Sequence, residues 1–266
     1  MKNRYLPPLF NFSFNPDGWL EDVAKDAKRE PWGKDYKVLE IYLRASFEIA
    51  KQQNKVYENR DDGFAFWKAG YLVNEMSDPI WLTYQTNRRA DKQQWVFKKV
   101  HSGNCPIPER SVDDFQIKIS PPEFNSSWSI HISQSNIDHI YKDTENVKRL
   151  KLVFGNLAEN AHLIFRTVLG EIELNRKSET VIPQWYYGDY QFLMPLFLTQ
   201  SEKVELAAAL TPNPIMKRYE IHTLLLPHYS YAYARALVKS RASFANWMLL
   251  SPEELNNSYS EEQEVD

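Results

Sequence analysis

Cysteine is almost absent from this chain: Cys105 is the one thiol in 266 residues, so no disulfide can form within it. A fold of this length must then rest on buried apolar surface, and the chain is long enough to supply it. Long apolar runs are missing too, and none approaches the ~18 to 20 residues that a membrane span needs. The first residues hold Lys2 and Arg4, but Pro7, Pro8, Asn11 and Asn15 interrupt any apolar stretch that would make a signal peptide. A cytoplasmic protein is expected, with no membrane contact.

Several catalytic signatures are also lacking. There is no GxGxxG, no phosphate loop ending in Gly-Lys-Ser/Thr, no HExxH and no Gly-x-Ser-x-Gly elbow. Cys105 lies beside prolines without a basic neighbour to activate it, which reads as an ordinary thiol. His131, Asp138 and His139 match no closed zinc spacing, so no metal and no cofactor is expected. His222 and His228 flank one apolar run and, on a strand rising ~3.3 Å per residue, stand too far apart to share an ion.

What the chain does have is aromatic rings: 8 Trp, 15 Tyr and 14 Phe. Rings in that number fill a core and an interface, or offer a stacking surface for bases. The net charge of −3 is unevenly spread. Glu253, Glu254, Glu261, Glu262, Glu264 and Asp266 crowd the last residues with no base among them, so the rest of the chain is mildly basic. Residues 1–250 read as a single domain, and 251–266 as an acidic, disordered tail.

The stretch Thr180–Arg241 is the organising part of that domain. Tyr190–Leu198 is nearly all apolar, as in a strand covered on both faces, and Pro195 within it requires an edge or a bulge. Val204–Leu210 and Arg218–Leu226 follow after short polar turns. Connections so short favour antiparallel neighbours, hence a meander. After Pro227 the alanine-rich segment through Arg235 and Lys239 to Trp247 has helical spacing.

Upstream, Met1–Asp17 reads as an extended segment. Trp19–Lys28 and the segment from Asp35, its expected cap, to Gln53 read as a helical hairpin. Strands are expected at 55–57, 64–68, 80–85 and 94–100. Arg88, Arg89 and Lys92 in a loop, with Lys98, Lys99 and His101 near a strand end, would then gather on one rim, either as a solvated loop or as a phosphate contact. Short strands at 115–119 and 128–132 precede a long helix from Thr144 to about Lys177, with Gly155 its weak point. Lys142, Lys148, Arg149 and Lys151 read as a solubilising face of that helix. The fold class is α+β: mostly antiparallel sheets, an N-terminal helical hairpin, a long middle helix and a C-terminal helix.

Ile182-Pro183 with Tyr186, Leu193–Leu196 (LMPL), Val204–Leu210 (VELAAAL), Thr223–Leu225 and Tyr231 with Ala234-Arg235 together resemble the bacterial family called domain of unknown function 3825. Phe66–Leu72, Pro79-Ile80-Trp81 and Trp95-Val96-Phe97 extend the likeness, so that it covers about Leu20 to Trp247. The chain departs from the family where Lys68 replaces an asparagine, His228 an aspartate and Tyr233 an asparagine, which puts in doubt any activity those polar residues carry. The resemblance implies a bacterial intracellular protein whose relatives stand beside RNA-linked modules such as cold-shock domains.

The residues that combine rings with cations are Lys68, Trp95, Lys98, Trp185, Tyr186, Tyr187, His228, Tyr231 and Arg235. With Arg88, Arg89 and Lys99 they form the expected nucleic-acid-binding set, for RNA above all, in RNA metabolism, stress or phage defence. The second reading is an enzyme acting on a nucleotide or RNA phosphate, with Lys68, His228 and Arg235 in electrostatic and acid–base roles. The third is an assembly or regulatory subunit with no ligand, its rings facing a protein partner or a second copy.

Overall fold

The computed structural model describes residues 8–89, 93–175, 180–198, 203–239 and 246–249. The acidic segment 251–266, the loop residue Lys92 and the C-terminal helix expected over 240–245 lie outside the described residues. The chain divides into two compact units: among the described residues the first holds those up to Ile119 together with Val238 and Lys239, and the second holds Ser120 to Leu237 together with 246–249. Each has its own five-stranded sheet, and both helices and mixed sheets are present, so the chain is α+β.

The first unit begins with a short helix, α1 (Pro8–Phe12), and a two-residue strand, β1 (Ser13–Phe14). An extended N-terminal segment is the sequence expectation; the residues from Pro8 on depart from it because the half-buried Phe12 ring packs onto core rings. It lies 5.0 Å from Phe47, 5.4 Å from Tyr84 and 6.2 Å from Trp95, centroid to centroid. Helices α2 (Trp19–Asp26) and α3 (Lys37–Gln52) follow as expected. Asp35 does not cap α3. It sits in a short 3-10 turn with φ 52°, and Tyr36 stands at the cap position without a side-chain hydrogen bond.

Strands β2 (Val56–Asn59), β3 (Phe64–Val73), β4 (Pro79–Thr86) and β5 (Trp95–Ser102) form an antiparallel meander, and β1 adds to β5 in parallel. Alternation sends Trp67, Leu82, Tyr84, Trp95 and Phe97 to one face and Phe66, Trp81 and Thr83 to the other. On the first face Trp67 packs edge-on against Phe47 of α3 and donates its indole N–H to the Tyr84 hydroxyl at 3.0 Å. Phe66, Trp81, Cys105 and Phe115 fill the second face. A strand over 115–119 is therefore not formed: Val112–Phe115 winds into a 3-10 turn that drops the Phe115 ring onto Phe66 and Trp81.

The second unit runs β6 (Ser129–His131), α4 (Gln134–Lys142), α5 (Thr144–Phe154), α6 (Ala161–Asn175), β7 (Ile182–Tyr186), β8 (Asp189–Leu196), β9 (Leu206–Asn213), β10 (Arg218–Leu225) and α7 (Pro227–Arg235). The long middle helix is split, as Gly155 takes φ 54° and a 3-10 turn follows it. The meander β8–β9–β10 is antiparallel as expected, with β6 parallel to β10 at one edge and β7 antiparallel to β8 at the other. Pro195 is tolerated because β7 ends at the Ile182–Leu193 pair, leaving that side of β8 open beyond Leu193. Ile140, Leu150, Ile164, Phe165, Val168 and Ile172 from the helices bury against Phe192, Met194, Leu206, Leu210 and Ile221 of the sheet. Helix α7 is shorter than its sequence pattern, ending at Arg235, and it packs on β7 and β9.

Candidate functional site

In the second unit, buried polar side chains gather where α5, β10, α7 and β7 approach one another. Asn146, in the first turn of α5, is almost fully buried. Its Oδ1 accepts from Arg149 Nη1 at 2.9 Å and from Thr223 Oγ1 of β10 at 3.1 Å, and its Nδ2 lies 3.4 Å from His139 Nε2. The spacing of three residues places Asn146 and Arg149 one above the other on a helix face, so the asparagine aims the guanidinium. Arg149 then lies over the Tyr229 ring, 4.9 Å from its centroid. Its Nε is buried and meets no acceptor among the described residues.

His228 stands beside this arginine at the start of α7. Burial, and then the charge of Arg149, holds its imidazole down at about 3, so it is neutral at physiological pH. A general base works best with a pKa near the working pH, so His228 is suited to hydrogen bonding rather than to moving protons. The His228 and Tyr229 rings lie 4.3 Å apart.

Tyrosines continue the site outward. Tyr186, at the end of β7, meets Tyr233 of α7 edge-to-face at 5.0 Å and Tyr187 at 4.4 Å. Burial first, then Tyr233 and Tyr187, raise the Tyr186 hydroxyl above its ordinary range, while Arg149 pulls it back. The β7–β8 turn is the pair Tyr187-Gly188, with φ 47° and 85°. Both residues in the left-handed region make a two-residue turn matched to the strand twist, which lifts Tyr187 clear of the surface. Tyr187 is 64% exposed. The site thus runs from a half-buried cation to an exposed ring, with neutral hydrogen-bonding groups between.

The sequence-selected residues fall into three groups. Tyr186, Tyr187 and His228 belong to this site. Trp95, Trp185 and Tyr231 are core rings instead of a stacking surface. Trp95 donates to Glu58 Oε2 at 3.1 Å, and Trp185 packs edge-on against Tyr190. Rings of that size are worth more in the interior than in water, and these sit on inward-facing positions. Arg235, in the last turn of α7, is also inside. Lys68 is a buried lysine of the first unit, donating to Gly70 O at 2.7 Å and Gln116 Oε1 at 2.8 Å. Burial lowers it to about 8, with Asp113 opposing.

The exposed cations of the first unit do not share a rim. Arg88 and Arg89 occupy the loop after β4, whereas Lys98 and Lys99 lie midway along β5. Thr83 pairs with Lys99 and Tyr84 with Phe97, so Lys98 is the extra residue of a β-bulge. The bulge turns both lysines outward. His101 is engaged with Asn104 O at 3.1 Å. His131 and His139 do not converge either: the first meets Glu220 at 3.0 Å and the second Asn146.

Arg149, Asn146, Thr223 and Tyr229 are the members that sequence reasoning did not select. Arg149 looked like one of four solubilising cations. The available signal was Asn146 and Arg149 three apart at the opening of a helix, which places a hydrogen-bonding partner directly under a guanidinium.

These features define a two-sheet α+β protein with a cationic, tyrosine-rimmed candidate site. The chain belongs to the family described as domain of unknown function (DUF3825), whose pattern matches residues 23–244. No curated protein and no solved structure matches it. No helix among the described residues is long and apolar enough to cross a membrane.

Proposed function

We propose that this protein binds single-stranded nucleic acid, RNA foremost, in the cytoplasm, through the Arg149 and tyrosine site of its second unit. The observation that carries the reading is Arg149 itself: a guanidinium aimed by Asn146, stacked on Tyr229, with a buried Nε that has no acceptor among the described residues. A phosphate oxygen at the accessible part of this half-buried guanidinium makes a charge-assisted bond, which is among the stronger polar contacts. Tyr187 offers a base its exposed face. The exposed cations Arg88, Arg89, Lys98 and Lys99 of the first unit add sequence-independent attraction for a phosphate backbone. A role in RNA metabolism, stress or phage defence follows as the biological form of this reading.

The test is fluorescence anisotropy with a fluorescein-labelled, mixed-sequence RNA of about 20 nucleotides, titrated at several salt concentrations. Affinity should fall steeply as salt rises. Arg149→Ala should weaken binding about tenfold and reduce the salt slope by about one. Tyr187→Ala should weaken it by about 1 to 3 kcal/mol with the slope unchanged. Absent binding, or binding indifferent to both substitutions, would overturn the proposal.

A further inference from the structure

Helix α6 has a second face that the described residues leave largely uncovered. Ile164, Phe165, Val168 and Ile172 turn inward to the sheet. On the opposite side Leu163, Thr167, Gly170 and Leu174 follow at steps of four, three and four, within roughly 60° of arc at 100° per residue. Leu163 is 43% exposed and Leu174 76%. Thr167 donates its hydroxyl to the carbonyl of Leu163 at 3.0 Å, which leaves its methyl group for contact.

Gly170 is the odd residue in this stripe. A Cβ built on it meets nothing within 4 Å, and it shows no left-handed backbone. Inside a helix, glycine costs about 1 kcal/mol relative to alanine. Neither conformation nor crowding among the described residues calls for it, but a close helix neighbour would. Arg166 and Glu173, both exposed, flank the stripe on the same side.

We infer that α6 is a self-association surface that takes a second copy of this chain, two α6 helices lying antiparallel about a two-fold axis. The sequence of the face is self-complementary under that operation. Leu163 meets the second copy's Leu174, Thr167 meets its Gly170, and the notch at each glycine admits the opposing threonine. On the flank, Arg166 faces the second copy's Glu173, and the pair recurs by symmetry. In an antiparallel pair residues on one flank meet their own kind of flank, so opposite charges seven apart attract where like charges would repel. A different partner would have no reason to mirror this spacing. One helix pair buries less than the roughly 1,200 Å² of a standard interface, so association in the micromolar range is expected.

Sedimentation equilibrium of the full chain over about 1 to 200 µM tests this. The mass should rise from 31.3 kDa towards twice that value as concentration increases. Arg166→Glu or Glu173→Arg alone should raise the dissociation constant at least about tenfold, and the two together should return it to within about threefold of the parent. The positions are exposed, and unchanged circular dichroism will confirm that the helix survives. A protein monomeric throughout, a dimer indifferent to either single change, or a double variant as weak as the singles would overturn the inference. None of these outcomes depends on nucleic-acid binding.

Discussion

His228 stands between a buried helix start and the charge of Arg149, and its imidazole refuses a proton until about pH 3. In the unfolded chain the same ring protonates near 6.5. The unfolded state thus binds the extra proton between those values, so the stability is fully present above about pH 6.5 and is lost progressively as pH falls below it. Between about pH 7 and pH 5 the loss from this one residue is roughly 2 kcal/mol. Chemical denaturation at both pH values should show the parent losing that much more than His228→Gln. Equal losses would mean that the folded imidazole accepts a proton.

At the scale of the element, β3 shows how one glycine fastens a helix to a strand. Its pairing with β4 is irregular between Lys68 and Val73, and Gly70 lies in that interval with φ 58°. Tyr42 of α3 reaches into the break, where its hydroxyl accepts from Tyr71 N at 2.7 Å and donates to Ala69 O at 3.2 Å. A Cβ at Gly70 would stand 2.6 Å from that hydroxyl and 2.8 Å from Ser46 Oγ. Gly70→Ala should therefore cost about 3 kcal/mol or more in urea unfolding, whereas Gly18→Ala should cost about 1 to 2, the backbone term alone. Gly18 also has positive φ, but it has open space around it. Similar losses at the two positions would show that the clasp on β3 yields to an added methyl group.

Elements were legible in the sequence where pattern and burial coincide. The alternation in 80–85 and 94–100 and the apolar run at 190–198 declared strands because both depend on local side-chain direction. The β7 strand passed unnoticed because its turn, Tyr187-Gly188, carries only one residue of the usual left-handed pair. Phe115 read as a strand residue since its neighbours alternate, yet its ring was needed on top of Trp81. The site was half visible. Tyr186, Tyr187 and His228 carry chemistry on their face, but Arg149 matters through Asn146 on its own helix and through Thr223 and Tyr229, which the fold brings in from two other elements. Burial was the other hidden quantity: nothing local distinguishes Trp95, a core ring, from Tyr187, an exposed one.

For the molecule as a whole, charge is distributed in a way that affects encounter more than folding. The body is mildly basic and six acids lie within 251–266. Truncation after residue 250 should speed association with RNA at about 50 mM salt, and the gain should disappear at about 300 mM, where attraction beyond ~6 Å is screened. Stopped-flow measurement of the association rate checks this. An acceleration that persists at high salt would point to direct blockage of the site rather than to a field.

Lys98 in β5 invites a comparison with ordinary strand residues. Removing one residue from a regular strand turns every later side chain to the wrong face. Here Phe97 and Lys99 already pair with the consecutive residues Tyr84 and Thr83, so excising Lys98 leaves an uninterrupted ladder with inside and outside preserved. The sheet would close more simply without this lysine, which makes it surplus to architecture and marks the kink it creates as something the chain keeps for its surface.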